Sequence, residues 1–252
     1  LASCGGMGDP DPLAGFGPNP NLPPPQKTLI PQVATAKVKR WAPGEAPTAP
    51  AGFKVTRFAE GLDHPRWLYV LPNGDVLAAE SSSEPGKART FRDWVANLIQ
   101  KSAGAAQKSP NKIILLRDAN GDGVAETARV FADNVKRPFG MALVGQSLYV
   151  AEDDAIVRFP YAEGQDHVDG QGVKVFDLPG GPINHHWTKN IIASPDGTRL
   201  YATIGSNSNV GENGLPAEAG RARIEVFDLG TGAHRPLATG LRNPNGMDFE
   251  PV

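Results

Sequence analysis

From Phe53 onward, apolar and polar positions follow one theme: a short alternating apolar run, a turn signal, and a second apolar run. Leu68-Tyr69-Val70-Leu71 leads through Pro72-Asn73-Gly74-Asp75 into Val76-Leu77-Ala78-Ala79. Proline presets one backbone dihedral and Asn-Gly accepts the left-handed region, so this stretch predicts a β-hairpin. The theme returns at Met141–Val144 with Ser147–Ala151, and again at Ile191–Ala193 with Arg199–Ile204 across Ser194-Pro195-Asp196-Gly197. Each hairpin is followed by outer strands, Ile113–Leu116 with Thr127–Phe131 in one repeat and Ile224–Phe227 in another. Four strands per repeat is the unit of a β-propeller blade, in which radial stacking buries each sheet against the next.

The expected fold class is therefore all-β, a β-propeller. A β-sandwich of similar hairpins is the alternative. Against it, the starts His64-Pro65, Arg137-Pro138, His186 and Asn243-Pro244 recur at about blade length once one insertion is removed. About four blades or fewer are expected, with further blades beyond Val252, because a closed ring needs at least about four. The insertion spans about Ser81 to Ser109; Phe91, Trp94, Val95, Leu98 and Ile99 share one helical face. A helix capping the propeller and a lid or docking helix are both open readings of it.

Composition narrows the function. The chain has 252 residues, a length that an all-β fold fills as one domain. With 29 Gly and 24 Pro it is dense in turns, and its net charge of -2 gives no cationic field for a phosphate backbone. Nucleic acid is not an expected partner. No apolar run approaches the ~20 residues of a membrane span. The one cysteine, Cys4, ends Leu1-Ala2-Ser3-Cys4, which resembles a bacterial lipobox. The expectation is a periplasmic protein held to the membrane only by a lipid at Cys4. Residues 1–51 would be lipobox remnant and Gly/Pro-rich tether, and residues 52–252 a partial propeller with a helical insertion.

Three segments carry candidate chemistry. Asp118, Asn120 and Asp122 alternate ahead of Gly123, as in the first half of an EF-hand-type calcium loop, but Arg129 stands where the closing glutamate belongs and Glu126 is out of register. A structural calcium and an ion-free turn both fit. The cluster Asn184-His185-His186-Trp187-Thr188-Lys189-Asn190 enters the third hairpin. Adjacent histidines on a strand point to opposite faces, and no third ligand lies at zinc spacing. His186, at the inner end of a strand, could take a hydroxyl proton near neutral pH or be a satisfied core histidine. Arg242 and Asn243 open the next repeat, where a guanidinium could polarise a carbonyl, hold a carboxylate, or form a blade-edge ion pair.

The stretches His64-Pro65-Arg66-Trp67, Leu115–Val124, Arg137–Ala142, Asn184–Asn190, Gly205–Asn209 and Gly240–Gly246 together resemble the soluble quinoprotein sugar dehydrogenases, most closely the L-sorbosone or pyranose dehydrogenase branch. The resemblance covers about residues 52–252. It implies a six-bladed propeller holding pyrroloquinoline quinone and calcium, a small sugar substrate, and an external electron acceptor. It also implies that His186 is the base taking the hydroxyl proton while hydride passes to the quinone. Arg242 and Asn243 would contact the quinone, Arg242 stabilising charge on its C5 oxygen, and Arg137 and Lys189 would contact its carboxylates. His185 stands where the glucose-oxidising relatives have an aspartate just before the base. Two rival functions are a calcium-dependent propeller lactonase and a non-enzymatic carbohydrate- or protein-binding lipoprotein.

Overall fold

The computed structural model describes residues 41–250 apart from 43, 84–106 and 210. Cys4, most of the predicted tether, and the predicted helix at 91–99 lie outside the described residues.

Among the described residues, twelve strands form three sheets of four. The first is β1 (Pro65–Val70), β2 (Val76–Glu80), β3 (Lys112–Arg117) and β4 (Thr127–Ala132). The second is β5 (Met141–Val144), β6 (Ser147–Ala151), β7 (Ala155–Pro160) and β8 (Val173–Asp177). The third is β9 (Ile191–Ala193), β10 (Arg199–Ile204), β11 (Arg223–Asp228) and β12 (His234–Thr239). Every sheet is an antiparallel meander in chain order, so each is one propeller blade.

The predicted hairpins are present in register: Val70 opposes Val76, Val144 opposes Ser147, and Leu200 opposes Ala193. β5 and β9 begin where the hairpins were expected, but His186 is not on a strand. Residues 137–140 and 184–190 precede β5 and β9 as non-strand backbone. His185 and His186 consequently lie in a bend, and their different exposures come from that bend rather than from strand alternation.

Alternation along the strands fills the gaps between blades. Leu77, Ile113, Leu115 and Phe131 of the first blade pack with Leu148, Val150 and Phe159 of the second. Ala142, Tyr149 and Ile156 of the second pack with Leu200, Ala202 and Phe227 of the third. Burying side chains of this size contributes about 1.5–3 kcal/mol each. At the inner rim the second and third blades approach backbone to backbone: Gly140 N donates to the Lys189 carbonyl at 3.0 Å. A Cβ on Gly140 would lie 2.4 Å from the Ile191 nitrogen, so only glycine permits this approach.

The antiparallel order puts the starts of β1, β3, β5, β9 and β11 at one end of the blades. Ser81 Oγ, at the end of β2, donates to the Pro138 carbonyl ahead of β5 at 2.7 Å and ties the first two blades there. Most buried polar residues gather at this end, among them Ser81, Asp153, Asn184, Lys189, Asn190, Ser206, Asn207 and Arg221. So do His64, Asn111, Arg137 and Ala222, non-glycine residues with positive φ. Buried polarity and backbone strain at one end of a scaffold mark it as the end to search for a site. Among the described residues, no helix is long and apolar enough to cross a membrane.

Candidate functional site

At that end, residues 184–190 enter β9 and residues 205–209 leave β10, so the two segments lie side by side. His186 is half-buried between them, with Nδ1 at 2.8 Å from the Ser206 carbonyl and 3.0 Å from Ser206 Oγ. A carbonyl only accepts, so Nδ1 carries the hydrogen. The Ser206 hydroxyl donates to the Ser208 carbonyl at 2.6 Å, leaving its oxygen to accept from the same ring nitrogen. The neutral imidazole is thereby fixed as the tautomer whose Nε2 bears the lone pair. His185, by contrast, is exposed, its Nδ1 4.0 Å from Glu212.

Gly205 lies between His186 and Asn243. A Cβ there would meet His186 Cβ at 2.5 Å and Asn243 Oδ1 at 2.6 Å, so glycine is what lets the two side chains converge. Asn243 Oδ1 is buried without a hydrogen-bond partner. Ser206 N donates to the Arg242 carbonyl at 2.8 Å, which brings the next residue pair alongside. The Arg242 guanidinium is held at 2.8 Å by both oxygens of Asn209, with Nε donating to the backbone carbonyl and Nη2 to Oδ1. One edge of the fork is therefore occupied, and the edge formed by Nη1 and the second Nη2 hydrogen remains for a ligand. His186, Asn243 and Arg242 thus each contact the 205–209 segment.

Lys189 and Arg137 depart from expectation. Lys189 is 0 % exposed, and Nζ donates to the carbonyls of Trp187 at 3.1 Å and His186 at 3.4 Å and to Asn184 Oδ1 at 3.4 Å. It braces the loop that carries the base and is closed to a cofactor carboxylate. Its pKa is lowered to about 7, first by burial and then by the Arg221 charge. Arg137 is ion-paired through Nη2 with Asp153, which is 2 % exposed, so its charge is already matched.

The Asp118 loop joins β3 to β4 at the opposite end of the first blade. Its register also differs from the sequence reading: Glu126 closes on Asp118 and Asp122, all three offering oxygens within 4.8 Å of one another. Those oxygens are engaged within the loop. Asp118 accepts the amides of Gly121 at 2.7 Å and Gly123 at 2.8 Å, and Glu126 accepts Ala119 N at 2.8 Å and Asn120 Nδ2 at 2.5 Å. These backbone amides lower the Asp118 pKa.

Sequence reasoning gave Ser206 and Asn209 no role. Their main contribution is through backbone carbonyls, which any residue type carries; the signal available was the polar run Gly205–Asn209 placed directly after an inner hairpin.

Residues 105–252 match a family model described as TrAA12-like. No curated protein sequence matches the chain. Among solved structures, the chain is similar to the holo form of a pyranose dehydrogenase PQQ domain from Coprinopsis cinerea, with TM-score 0.52 and 18% identity over 78% of this chain and 43% of that one. It is also similar to the iodide structure of a Trichoderma reesei carbohydrate-active enzyme of family AA12, with TM-score 0.51 and 17% identity over 74% of this chain and 41% of that one. At such identity the likeness shows the fold, a propeller, and the chain spans about two fifths of the length of these structures.

Proposed function

Because the chain belongs to the TrAA12-like family, we propose that its three blades carry part of the catalytic face of a pyrroloquinoline-quinone-dependent sugar dehydrogenase acting on an aldose or a sorbosone-like sugar aldehyde. The observation that carries this reading is the His186 tautomer. Nδ1 is committed to Ser206, and Nε2, without a hydrogen-bond partner among the described residues, can accept a proton on a side chain that packs with Asn243 against Gly205.

The residues fit such a cofactor on two counts. The buried, unpaired Asn243 Oδ1 can accept from a ligand donor, and the open edge of Arg242 matches carbonyl or carboxylate oxygens. When bound, the quinone supplies a two-electron acceptor for the hydride leaving the substrate carbon. His186 Nε2 takes the substrate hydroxyl proton, and the Ser206 carbonyl stabilises the resulting imidazolium through Nδ1–H. Arg242, held rigid by Asn209, offers its free N–H groups to oxygen that gains negative charge, a preorganised electrostatic contribution. Asn243 orients the ligand. Calcium belongs to the same reading; among the described residues the one group of carboxylates close enough to share an ion is Asp118–Asp122–Glu126, at the other end of the first blade from His186. Electrons would leave to an external acceptor.

The test is reconstitution of the protein with pyrroloquinoline quinone and calcium, followed by reduction of an artificial acceptor with a panel of aldoses and sugar aldehydes. Sugar-dependent reduction in the wild type, with His186→Ala keeping quinone binding and losing turnover, is the expected result. Lactone hydrolysis without quinone would favour a calcium-dependent lactonase, and neither activity a carbohydrate-binding protein.

A further inference from the structure

The inner rims of the three blades meet in an aromatic row. Trp67 of the first blade packs on Phe139 ahead of β5, with ring centroids 5.3 Å apart, and Phe139 meets Trp187 ahead of β9 edge-on at 6.4 Å. Trp187, the residue after His186, is 5 % exposed. Two guanidinium groups lie over its ring, those of Arg66 and Arg137, each with its central carbon 5.6 Å from the centroid.

These two arginines are not equivalent. Arg137 is matched by Asp153. Arg66 is exposed and, among the described residues, has no hydrogen bond or ion pair; its guanidinium rests on the indole face alone. Its position is also unusual. The β1–β2 ladder pairs Pro65 with Glu80 and Trp67 with Ala79 and skips Arg66, which is the extra residue of a β-bulge. A bulge re-aims a side chain that regular pleating would send elsewhere, and bulges concentrate beside functional sites. Here it carries a first-blade cation across to a third-blade tryptophan next to His186.

The nearby anions are already engaged: Asp153 pairs with Arg137 and Lys136, and Asp154 with Lys136. Lys189 and Arg221 are buried behind the same loop, with Asn184 Oδ1, a neutral acceptor, 3.4 Å from Lys189 Nζ and 2.6 Å from Arg221 Nη2. The lowered Lys189 pKa reflects burial and then the Arg221 charge, with Arg137 adding to it against Asp153 and Asp154. A cation held on an aromatic face and left unpaired is poised for an anion.

We propose that Arg66 is an anion contact of this site, placed by the β1 bulge and Trp187 to bind a carboxylate of the ligand that His186 and Arg242 serve. The assignment rests on the quinone reading above and replaces Lys189 and Arg137 in the role first expected of them. Loss of a guanidinium–carboxylate contact corresponds to roughly ten- to hundredfold in affinity.

The test is equilibrium titration of the purified protein with pyrroloquinoline quinone and with its trimethyl ester, followed by absorbance and tryptophan fluorescence. Arg66→Leu is expected to weaken quinone binding at least about tenfold and ester binding less than about twofold, with a shallower salt dependence. Arg66→Lys should recover part of the loss, and because the side chain is exposed both variants should melt like the wild type. Wild-type binding matched by both variants would overturn the assignment of Arg66 and leave the quinone reading standing. Failure of the wild type itself to bind would overturn that reading and this assignment together. If Arg66→Leu unfolds, Arg66→Lys and Arg66→Gln decide the question by the same quinone-to-ester comparison.

Discussion

His186 Nδ1 donates to the carbonyl oxygen of Ser206 at 2.8 Å, so the orientation of the candidate base is set by backbone. A carbonyl does not titrate and survives every substitution at its own position except through movement of the chain. Ser206→Ala, which removes only the Oγ contact at 3.0 Å, should therefore lower sugar-dependent turnover by less than about tenfold. His186→Gln should lower it by about 10²–10⁴, the usual contribution of a general base. Nitrogen NMR of the histidine rings checks the premise: the Nδ1–H tautomer of His186 should persist in Ser206→Ala.

Gly205 gives a sharper steric test. A Cβ at this position lies 2.5 Å from His186 Cβ and 2.6 Å from Asn243 Oδ1, far inside contact distance. The glycine φ is not in the left-handed region, so Gly205→Ala strains neighbours rather than its own backbone. Turnover should fall about a hundredfold as the base and amide are pushed apart, while circular dichroism still reports a folded propeller. Full activity in a folded Gly205→Ala protein would mean that His186 and Asn243 do not act at one site.

The hairpins were legible because two local signals coincide in them, period-two apolar alternation and a turn with its own dihedral demands, as in Leu68–Ala79. The segment that carries His186 was less legible. Residues 184–190 form no ladder and turn in a bend at His185 and His186, a backbone feature that no residue type there announces. At the site, His186, Arg242 and Asn243 could be found by residue type; what positions them could not. The Ser206 and Asn209 carbonyls are backbone atoms, and the Arg66 bulge is a register irregularity with no residue signature. Lys189 inverted the usual expectation that a lysine seeks solvent, because three protein oxygens stand in for water. Glu126 was set aside by the spacing of one loop family, whereas this loop closes on it differently.

At the other end of the first blade, Asp75 and Arg117 form a two-point contact, Nε to Oδ1 at 2.7 Å and Nη2 to Oδ2 at 2.6 Å, with the Asp75 side chain 4% exposed. Asp75→Ala should destabilise the protein by about 2–4 kcal/mol, since it strands a guanidinium and loosens the hairpin turn. Quinone affinity of the folded fraction should not change. The Arg117 hydrogen bond lowers the Asp75 pKa, so this stabilisation is complete above the unfolded value near 4 and fades as pH falls through the lowered one. The stability gap between wild type and Asp75→Asn in denaturant titrations should therefore narrow below about pH 4.

Lys189 predicts a second rise of stability with pH, on the alkaline side. Its pKa is lowered from 10.5 to about 7 in the folded protein. Below pH 7 the folded and unfolded chains both hold the proton, and the full cost of burying the ammonium falls on the fold. Between about 7 and 10.5 the unfolded chain binds a proton that the folded chain lacks, so unfolding free energy rises with pH across this window. Relative to Lys189→Met, which does not titrate, the wild type should gain on the order of 4 kcal/mol over that range, since every tenfold difference in proton affinity between the two states is worth about 1.4 kcal/mol. Urea denaturation of both proteins from pH 6 to pH 10 measures the difference directly. A flat difference would show that the amine keeps its proton in the folded state. Lys189 would then brace the His186 and Trp187 carbonyls as a cation throughout.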